Sequence, residues 1–586
     1  TDLDGQVHIE KFQDFEKIYF QHLSYHKTSI LKSSIQDTVF LAPKATSLNE
    51  VVISASKFKQ NKKEVPQKII SINSKEIQFS NPQTSADLLS NSGRVFVQKS
   101  QLGGGSPMIR GFSTNRLLIT VDGVRLNNAI FRSGNVQNIL SINPFNVERT
   151  EVILGAGSVI YGSDAIGGVM NFYTTTPKLS ESKTVNFNVR STIRYASANN
   201  EKTSHIDFNL GFQKWGFHSS VSVSDFGDLK MGIHGPDDYL SLHFAEHLNG
   251  QDLMVPNTSP RVQKFTKFSQ FHLAQKVLYK VNADLKFDLG LHYSTTSEYP
   301  RYDRLASYNS EGVLNYAEWN YGPQNWLLAN LQMTKLSSRS NLHDKVKVSV
   351  AYQNFNESRI NRKFYEDIRK IREENVDALS LNFDFDKTIS EASNISYGTE
   401  YIYNRIGSSG QALQITTNLS QDIHSRYPDD SKWQTLGAYL SHKYKPNSKL
   451  TVQSGIRYNY VTIDADLTSN NTFFNFPFKM ANLETSALTG TLGFSWNPNA
   501  TFLWKLNATT AFRAPNIDDI GKIFDSEPGL VVVPNSNLKP EYAYGGELGV
   551  SVNLNDSVVF DLSSYSTSLD NVLLRSAFSI TGETVI

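Results

Sequence analysis

Met108-Ile-Arg-Gly-Phe-Ser-Thr-Asn-Arg116 and Leu117-Leu-Ile-Thr-Val-Asp-Gly-Val-Arg125 open the stretch, Ser106 to Phe172, whose reading decides the fold. Val147-Glu-Arg-Thr-Glu-Val-Ile-Leu154 follows, then Gly157-Ser-Val-Ile-Tyr-Gly-Ser-Asp-Ala-Ile-Gly-Gly-Val-Met-Asn171. Leu117 to Val121 reads as a strand that ends in the Asp122-Gly123 turn, and Val147 to Leu154 as another. Gly155, Gly157, Gly162, Gly167 and Gly168 mark tight turns or close backbone approach. Ser85 to Ser90, upstream, reads as a short helix. No Gly-Lys-Ser/Thr follows a strand and no G-x-G-x-x-G opens a helix, so these glycines do not cradle phosphate.

From Thr184 onward the hydrophobic period changes to two. Val281 to Tyr293 alternates over thirteen residues, with Val281, Ala283, Leu285, Phe287, Leu289, Leu291 and Tyr293 on one face. Val185 to Val189, Val346 to Tyr352, Leu436 to Tyr444, Thr451 to Tyr460 and Val558 to Tyr565 repeat the pattern. Strands near ten residues long, apolar on one side and aromatic at an end, suit a bilayer-spanning barrel, whereas sandwich strands usually run five or six. Polar segments at Gly227 to Asn257, Glu298 to Tyr321, Gly407 to Trp433 and Asn516 to Tyr542 read as long outer loops, where binding residues are expected.

Composition bounds the rest. A chain of 586 residues needs more than one core. Lys+Arg is 57 against 56 Asp+Glu, which argues against a nucleic-acid partner. Cysteine is absent, which removes disulfides, thiolate metal sites and cysteine nucleophiles. Mean hydropathy is −0.36 and no apolar run is long enough for a membrane helix, but a barrel strand is apolar on one face only. The 35 Phe, 26 Tyr and 6 Trp would serve interfacial girdles. Thr1 to Gly5 has neither a basic nor an apolar region, so the start reads as processed or truncated. With no G-x-S-x-G, no H-E-x-x-H and no acid pair at defined spacing, an enzyme is not expected.

Leu48-Asn-Glu-Val-Val-Ile-Ser-Ala-Ser56 is a short β-prone run before the basic Lys57 to Lys63. It is either a plain strand with a solvated linker or an exposed strand that another protein pairs with by edge addition.

Met108 to Phe112, Val121 to Val124, Val147 to Arg149, Glu151-Val152, Tyr161-Gly162 and Gly168 to Asn171 resemble, in order and spacing, the plug motifs of TonB-dependent outer-membrane receptors. The resemblance covers roughly residues 48 to 586. It implies an all-β transmembrane antiparallel barrel, 22-stranded in the family, with a mixed α/β plug in its lumen. The expected domains are 1–43, the tail of a carboxypeptidase-regulatory-like β-sandwich of Bacteroidetes-type receptors; 44–63, TonB box and linker; 64–178, plug; and 179–586, barrel. The residues after 184 suffice for roughly 16 to 18 strands, so the barrel is expected to be incomplete at its C-terminal end. Leu48, Glu50, Val51, Val52, Ile53 and Ser54 resemble the box gripped by TonB of the inner-membrane TonB–ExbB–ExbD complex. Where the family has Arg-Gly-Pro, this chain has Leu154-Gly155-Ala156. The plug–barrel latch is therefore expected from Arg110 and Arg149, with Glu400 and Glu547 as barrel partners.

Ala511-Phe-Arg-Ala-Pro515 and Pro534-Asn-Ser-Asn-Leu-Lys-Pro-Glu541 resemble the FRAP and NPNL boxes of haem receptors, although no histidine lies between them. They point to Arg513, Asn535 and Asn537 as ligand-binding candidates. His234, with His243 and His247 nearby, His424, Tyr299 and Tyr302 are further candidates, because haem iron accepts histidine or tyrosine. The expected function is TonB-driven import of haem or a ferric siderophore, with no intrinsic cofactor and no resident metal. Outer-membrane lipid, the small ligand and an accessory surface lipoprotein are the other expected partners. The alternative is a SusC-like importer of oligosaccharides or peptides, whose box usually runs into Gly-Tyr-Gly rather than Ser54-Ala-Ser56.

Overall fold

A computed structural model of the chain describes residues 7–22, 25–41, 51–99, 104–132, 138–337, 340–474, 479–522, 535, 537–554 and 558–574. Near the N-terminus, Lys17–His22 and Tyr25–Leu31 pair as an antiparallel hairpin. The plug follows. Its central sheet has five strands in the spatial order Val124–Arg125, Leu117–Val121, Gly168–Thr174, Val147–Leu154 and Lys68–Asn73. Lys68–Asn73 is therefore an edge strand whose partner in this sheet is Val147–Leu154, in antiparallel register. Two capped helices, Ser74–Ser80 and Ser85–Asn91, pack beside it; Asn73 and Thr84 each accept from backbone amides of the first turn while Glu76 and Asp87 reach back.

The wall is one antiparallel sheet of 18 strands running from Asn186–Ala196 to Val558–Asp570. Three of its members, Tyr299–Pro300, Tyr316–Tyr321 and Ser420–Asp422, are short pieces of the rim, bypassed by the longer strands on either side. Strands alternate as a membrane barrel requires. In Leu285–Thr296, His292 and Ser294 face the lumen and are buried, while Leu291 and Tyr293 point outward and are exposed. Leu436, Leu488, Leu548 and Leu562 are likewise exposed on the outer face. Phe212, Trp215, Trp496, Phe502 and Trp504 cluster beside the short turns, at the level of an interfacial girdle.

The short turns share an end with residues 62–64: Glu64 accepts from Lys443 and Lys445, and the Lys63 carbonyl accepts from Ser495. That end is periplasmic and the long connections are outer. Two sequence boundaries shift. Residues 281–284 form a turn, closed by Val281 N donating to the Leu285 carbonyl and by Asn282 capping Asp284 N and Leu285 N. Residues 407–414 are strand rather than loop, because Ser393–Gln414 continues past the bilayer and stays paired with Ile368–Ser390.

Plug and wall share one hydrophobic core. Ile119, Val152, Met170 and Phe172 of the plug lie in the same buried cluster as Trp326, Phe355, Val376, Trp433 and Phe512 of the wall.

Candidate functional site

Three places tie the plug to its surroundings. At the periplasmic end, Val51–Val52 pairs with Gln60–Asn61. Val52 and Ser54 are fully buried. The Glu151 carboxylate, from the middle of the plug sheet, accepts Ile53 N at 3.0 Å and Ser54 N at 2.8 Å. Tyr161 Oη donates to the Ser54 carbonyl at 3.0 Å. A strand whose amides are already engaged offers no edge to a partner until it leaves Glu151. Lys57, at φ +63, then reaches Asp384 at 3.1 Å on the wall.

Mid-lumen, Arg110 donates to both oxygens of Glu547, at 3.1 and 2.7 Å, and its guanidinium lies 4.0 Å from the Tyr565 ring centroid. Arg116 grips both oxygens of Glu541 in the same two-pronged way. Gly155, which follows the Leu154 that stands in the place of the expected arginine, has φ +101, and a Cβ there would sit 3.2 Å from Arg110 Nη1. Across the lumen a latch of opposite polarity holds Asp122. Its carboxylate accepts from Thr174 N, Thr174 Oγ1 and Lys276 Nζ, the last at 3.2 Å, and its carbonyl accepts from Gln332. Burial alone would raise the Asp122 carboxyl, but Lys276 and His292 hold it well below the usual carboxylate range.

At the outer end a charged chamber caps the plug. Arg132 donates to Glu357 at 2.7 Å. The guanidiniums of Arg132, Arg301 and Arg359 lie 5.9, 5.6 and 5.2 Å from the Tyr321 ring centroid, and Arg301 also donates to Tyr321 Oη. Arg426 Nη2 is 3.6 Å from Asp518, whose carboxylate also accepts from Tyr427 Oη. Arg372 lies against His424 Nε2 at 3.0 Å. Among the described residues, buried Nε and Nη2 of Arg359, Nε and Nη1 of Arg426 and both oxygens of Glu374 make no hydrogen bond. Buried polar atoms on charged groups that go unmet cost more than about 1–3 kcal/mol each, so this cluster is a costly arrangement as it stands. Burial, then Arg372, depresses the His424 imidazole to about 4, leaving the ring neutral at physiological pH.

Residues 61–169 match the TonB-dependent receptor plug domain, and residues 282–584, more than half the chain, match the TonB dependent receptor-like β-barrel. The chain belongs to the TonB-dependent receptor family. This receptor resides in the outer membrane as a β-barrel. It is similar to the vitamin B12 transporter BtuB of Vibrio vulnificus strain CMCP6, 39% identical over 140 residues, which are 23% of this chain and 22% of the transporter. BtuB of Photobacterium profundum is 31% identical over 137 residues, 23% of this chain and 22% of that one. The receptor thus aligns with about a fifth of the length of these relatives. Among solved structures, the copper transporter OprC superposes with a TM-score of 0.65 at 14% identity, covering 86% of this chain and 71% of OprC. The FrpB iron transporter from Neisseria meningitidis gives 0.65 at 15%, covering 88% and 74%. These identities establish the shared fold.

Within this receptor the residues singled out by sequence are dispersed. Leu48 and Glu50 lie outside the described residues; Val52 and Ser54 are buried and Ile53 is half-buried, while the Val51 side chain is exposed. Of the latch residues, Arg110 meets Glu547. Arg149 instead turns to Glu151 of its own strand, Nε to Oε1 3.1 Å, with its guanidinium over Tyr173. Glu400 accepts from Arg457, a wall residue, with Lys57 4.0 Å away. Arg513 is buried and bound to Asp519, its strand end serving the plug: Asp164 N donates to the Phe512 carbonyl and Ala514 N to Ser163 Oγ. It is therefore not open to a ligand in this conformation. Asn535 and Asn537 are exposed and bonded to each other. His234 is exposed on its loop, Tyr299 is buried against Gln324, Tyr302 lines a separate loop cavity, and His424 borders the chamber.

Sequence reasoning missed Arg116, Asp122, Glu151 and the chamber arginines. Asp122 and Glu151 sat within the quoted motifs, but their partners are remote in the chain.

Proposed function

We propose that this receptor imports an anionic iron compound, haem or a ferric siderophore, across the outer membrane, driven by TonB. The buried, partly unpaired guanidiniums over the plug apex carry this reading: they outnumber the carboxylates among them and would pair with haem propionates or the acidic oxygens of a ferric chelate. His424 at the chamber edge would offer an iron-binding nitrogen once Arg372 turns from its Nε2 to the ligand. The ligand would sit on Arg132 of the plug, and its charge would redistribute the pairs that hold the apex. TonB would take the strand at Val51 to Ser54 once it leaves Glu151, and force from the inner membrane would remodel the plug.

Purified receptor titrated with haemin should show a Soret shift at micromolar haemin. Arg359→Gln and Arg372→Met should each weaken it about tenfold, a loss of about 1.4 kcal/mol. Absence of a Soret shift, together with no growth on ferric siderophores as sole iron source, would overturn the reading. A corrinoid is the second reading, favoured by the likeness to vitamin B12 transporters; cyanocobalamin protecting the loops from protease where haemin does not would select it. An oligosaccharide or peptide importer predicts binding indifferent to the arginine changes.

A further inference from the structure

Away from the chamber, a cavity of about 210 Å³ opens between two outer loops. One wall is the hairpin His243–Leu248 and Gln251–Pro256, with Lys264 and Phe265 after it. The other is Pro300, the short helix Tyr302–Leu305 and the rim strand Tyr316–Tyr321. None of its lining residues belongs to the plug.

The walls are fixed to each other. Asp252 of the hairpin accepts from Arg362 Nη1 and Nη2 at 2.7 and 2.9 Å and from Tyr365 N at 2.9 Å. Both side chains of that pair are almost completely buried. Arg362 Nε donates in turn to Glu318, across the cavity in the rim strand, at 2.9 Å. One guanidinium therefore staples hairpin to rim, and the space exists without a loop having to close.

Part of the lining is aromatic and part polar, with Ser241, His243, Gln263 and Asn320 beside the rings. Phe244 and Phe265 meet edge to face, centroids 5.4 Å apart at 81°. Tyr302 and Tyr316 also line the cavity. Phe265 holds φ +64, a region a bulky side chain rarely adopts and one that costs about 1–3 kcal/mol.

The charge is one-sided. Glu318, the carboxylate in the lining, is occupied by Arg362 and Arg369. Lys264, half-buried in the lining, has no hydrogen bond or ion pair among the described residues. An apolar cavity of about 150 Å³ holds one benzene ring, so this one fits a single substituted ring.

We propose that this cavity binds a small planar arene bearing an anionic oxygen, an aryl carboxylate or phenolate, with the ring between Phe244, Phe265 and Tyr302 and the oxygen at Lys264. The site is complete within the loops and does not rest on the cargo being an iron compound. The arene is either a free aromatic acid or an arm of a larger ligand.

Salicylate added to the detergent-solubilised full chain, followed by calorimetry, should bind saturably at one site below about 1 mM. Cyclohexanecarboxylate and benzyl alcohol should bind at least tenfold more weakly. Lys264→Met and Phe244→Ala should each cost tenfold or more, and Lys264→Arg should retain binding, which separates loss of charge from loss of folding. The haemin titration should be unchanged in all of them, so failure here and failure of the import reading are distinguishable. No saturable salicylate binding up to about 10 mM, or equal binding by the wild type and Lys264→Met, would overturn the proposal. Competition by the transported ligand would assign the cavity to an arm of that ligand, and lack of competition to a free acid; both support an anionic arene site.

Discussion

Tyr321 condenses the electrostatics of the outer chamber into one side chain. Burial alone would raise its phenol, but Arg359, Arg132, Arg301 and Arg426 together bring it down to about 8. The folded value lies below the ordinary tyrosine value of about 10. The stabilisation is therefore fully present above pH 10, shrinks as pH falls, and is gone below about 8. An ultraviolet titration should show one tyrosine ionising near pH 8, ahead of the rest. Tyr321→Phe should abolish that step; a step that survives the substitution would mean that these guanidiniums do not act on the phenol. Above pH 8 an anionic ligand should also bind less well, because the phenolate then competes for the same arginines. None of this was legible in sequence. Arg132, Tyr321, Arg359 and Arg426 carry no shared motif, and they meet because a plug loop, a rim strand, a long wall strand and an outer loop converge at the outer end. Arg110, by contrast, stood out within a spaced motif, and Glu547 stood out as a carboxylate in a strand-like run.

At the scale of elements, the segment from Val51 to Asn73 is the part of the plug closest to release. Its first pairing is the two-residue ladder of Val51–Val52 with Gln60–Asn61, and its last strand, Lys68–Asn73, lies at the sheet edge. Between them the Glu151 carboxylate holds two amides. Hydrogen bonds to a charged group contribute about 1.5–3 kcal/mol, roughly twice neutral ones. Glu151→Gln should therefore speed hydrogen exchange at residues 51–56 about tenfold and expose Lys57 and Lys59 to trypsin, without ligand. Pull-down by the C-terminal domain of TonB should rise in parallel. Unchanged exchange would mean that other contacts, such as Tyr161 with Ser54, hold the segment. The existence of most strands was readable from period two, but their ends were not. Val281 to Asp284 continues the apolar alternation of Leu285 to Tyr293, yet the Asn282 side chain caps the following amides and turns the chain there. Hydropathy cannot separate a turn that happens to alternate from a strand that does.

On the scale of the molecule, the plug is held around its circumference. Arg110 and Arg116 bind Glu547 and Glu541 on one side, Asp122 binds Lys276 on another, and Lys57 and Arg132 bind the wall below and above. Removing one partner of a buried pair costs about 3–5 kcal/mol because the other charge is stranded. Arg110→Glu, which sets two carboxylates against each other, should loosen the plug and raise bilayer conductance and cellular uptake of a large antibiotic; Arg110→Glu with Glu547→Arg should restore much of the seal. Equal leakage in the single and double variants would remove this pair from the latch. The two-part architecture was legible because the hydrophobic period changes near residue 184. The ring of latches was not, because each joins residues more than a hundred positions apart and a lone charge in a strand names no partner. The shared core has a further consequence, for the wall itself. Trp326, Phe355, Val376 and Trp433 lie in the same buried cluster as Val152, Met170 and Phe172, so a wall without its plug would turn an oily inner surface to water. The plug therefore completes the core on which these wall residues pack, and a wall deprived of it should be less stable.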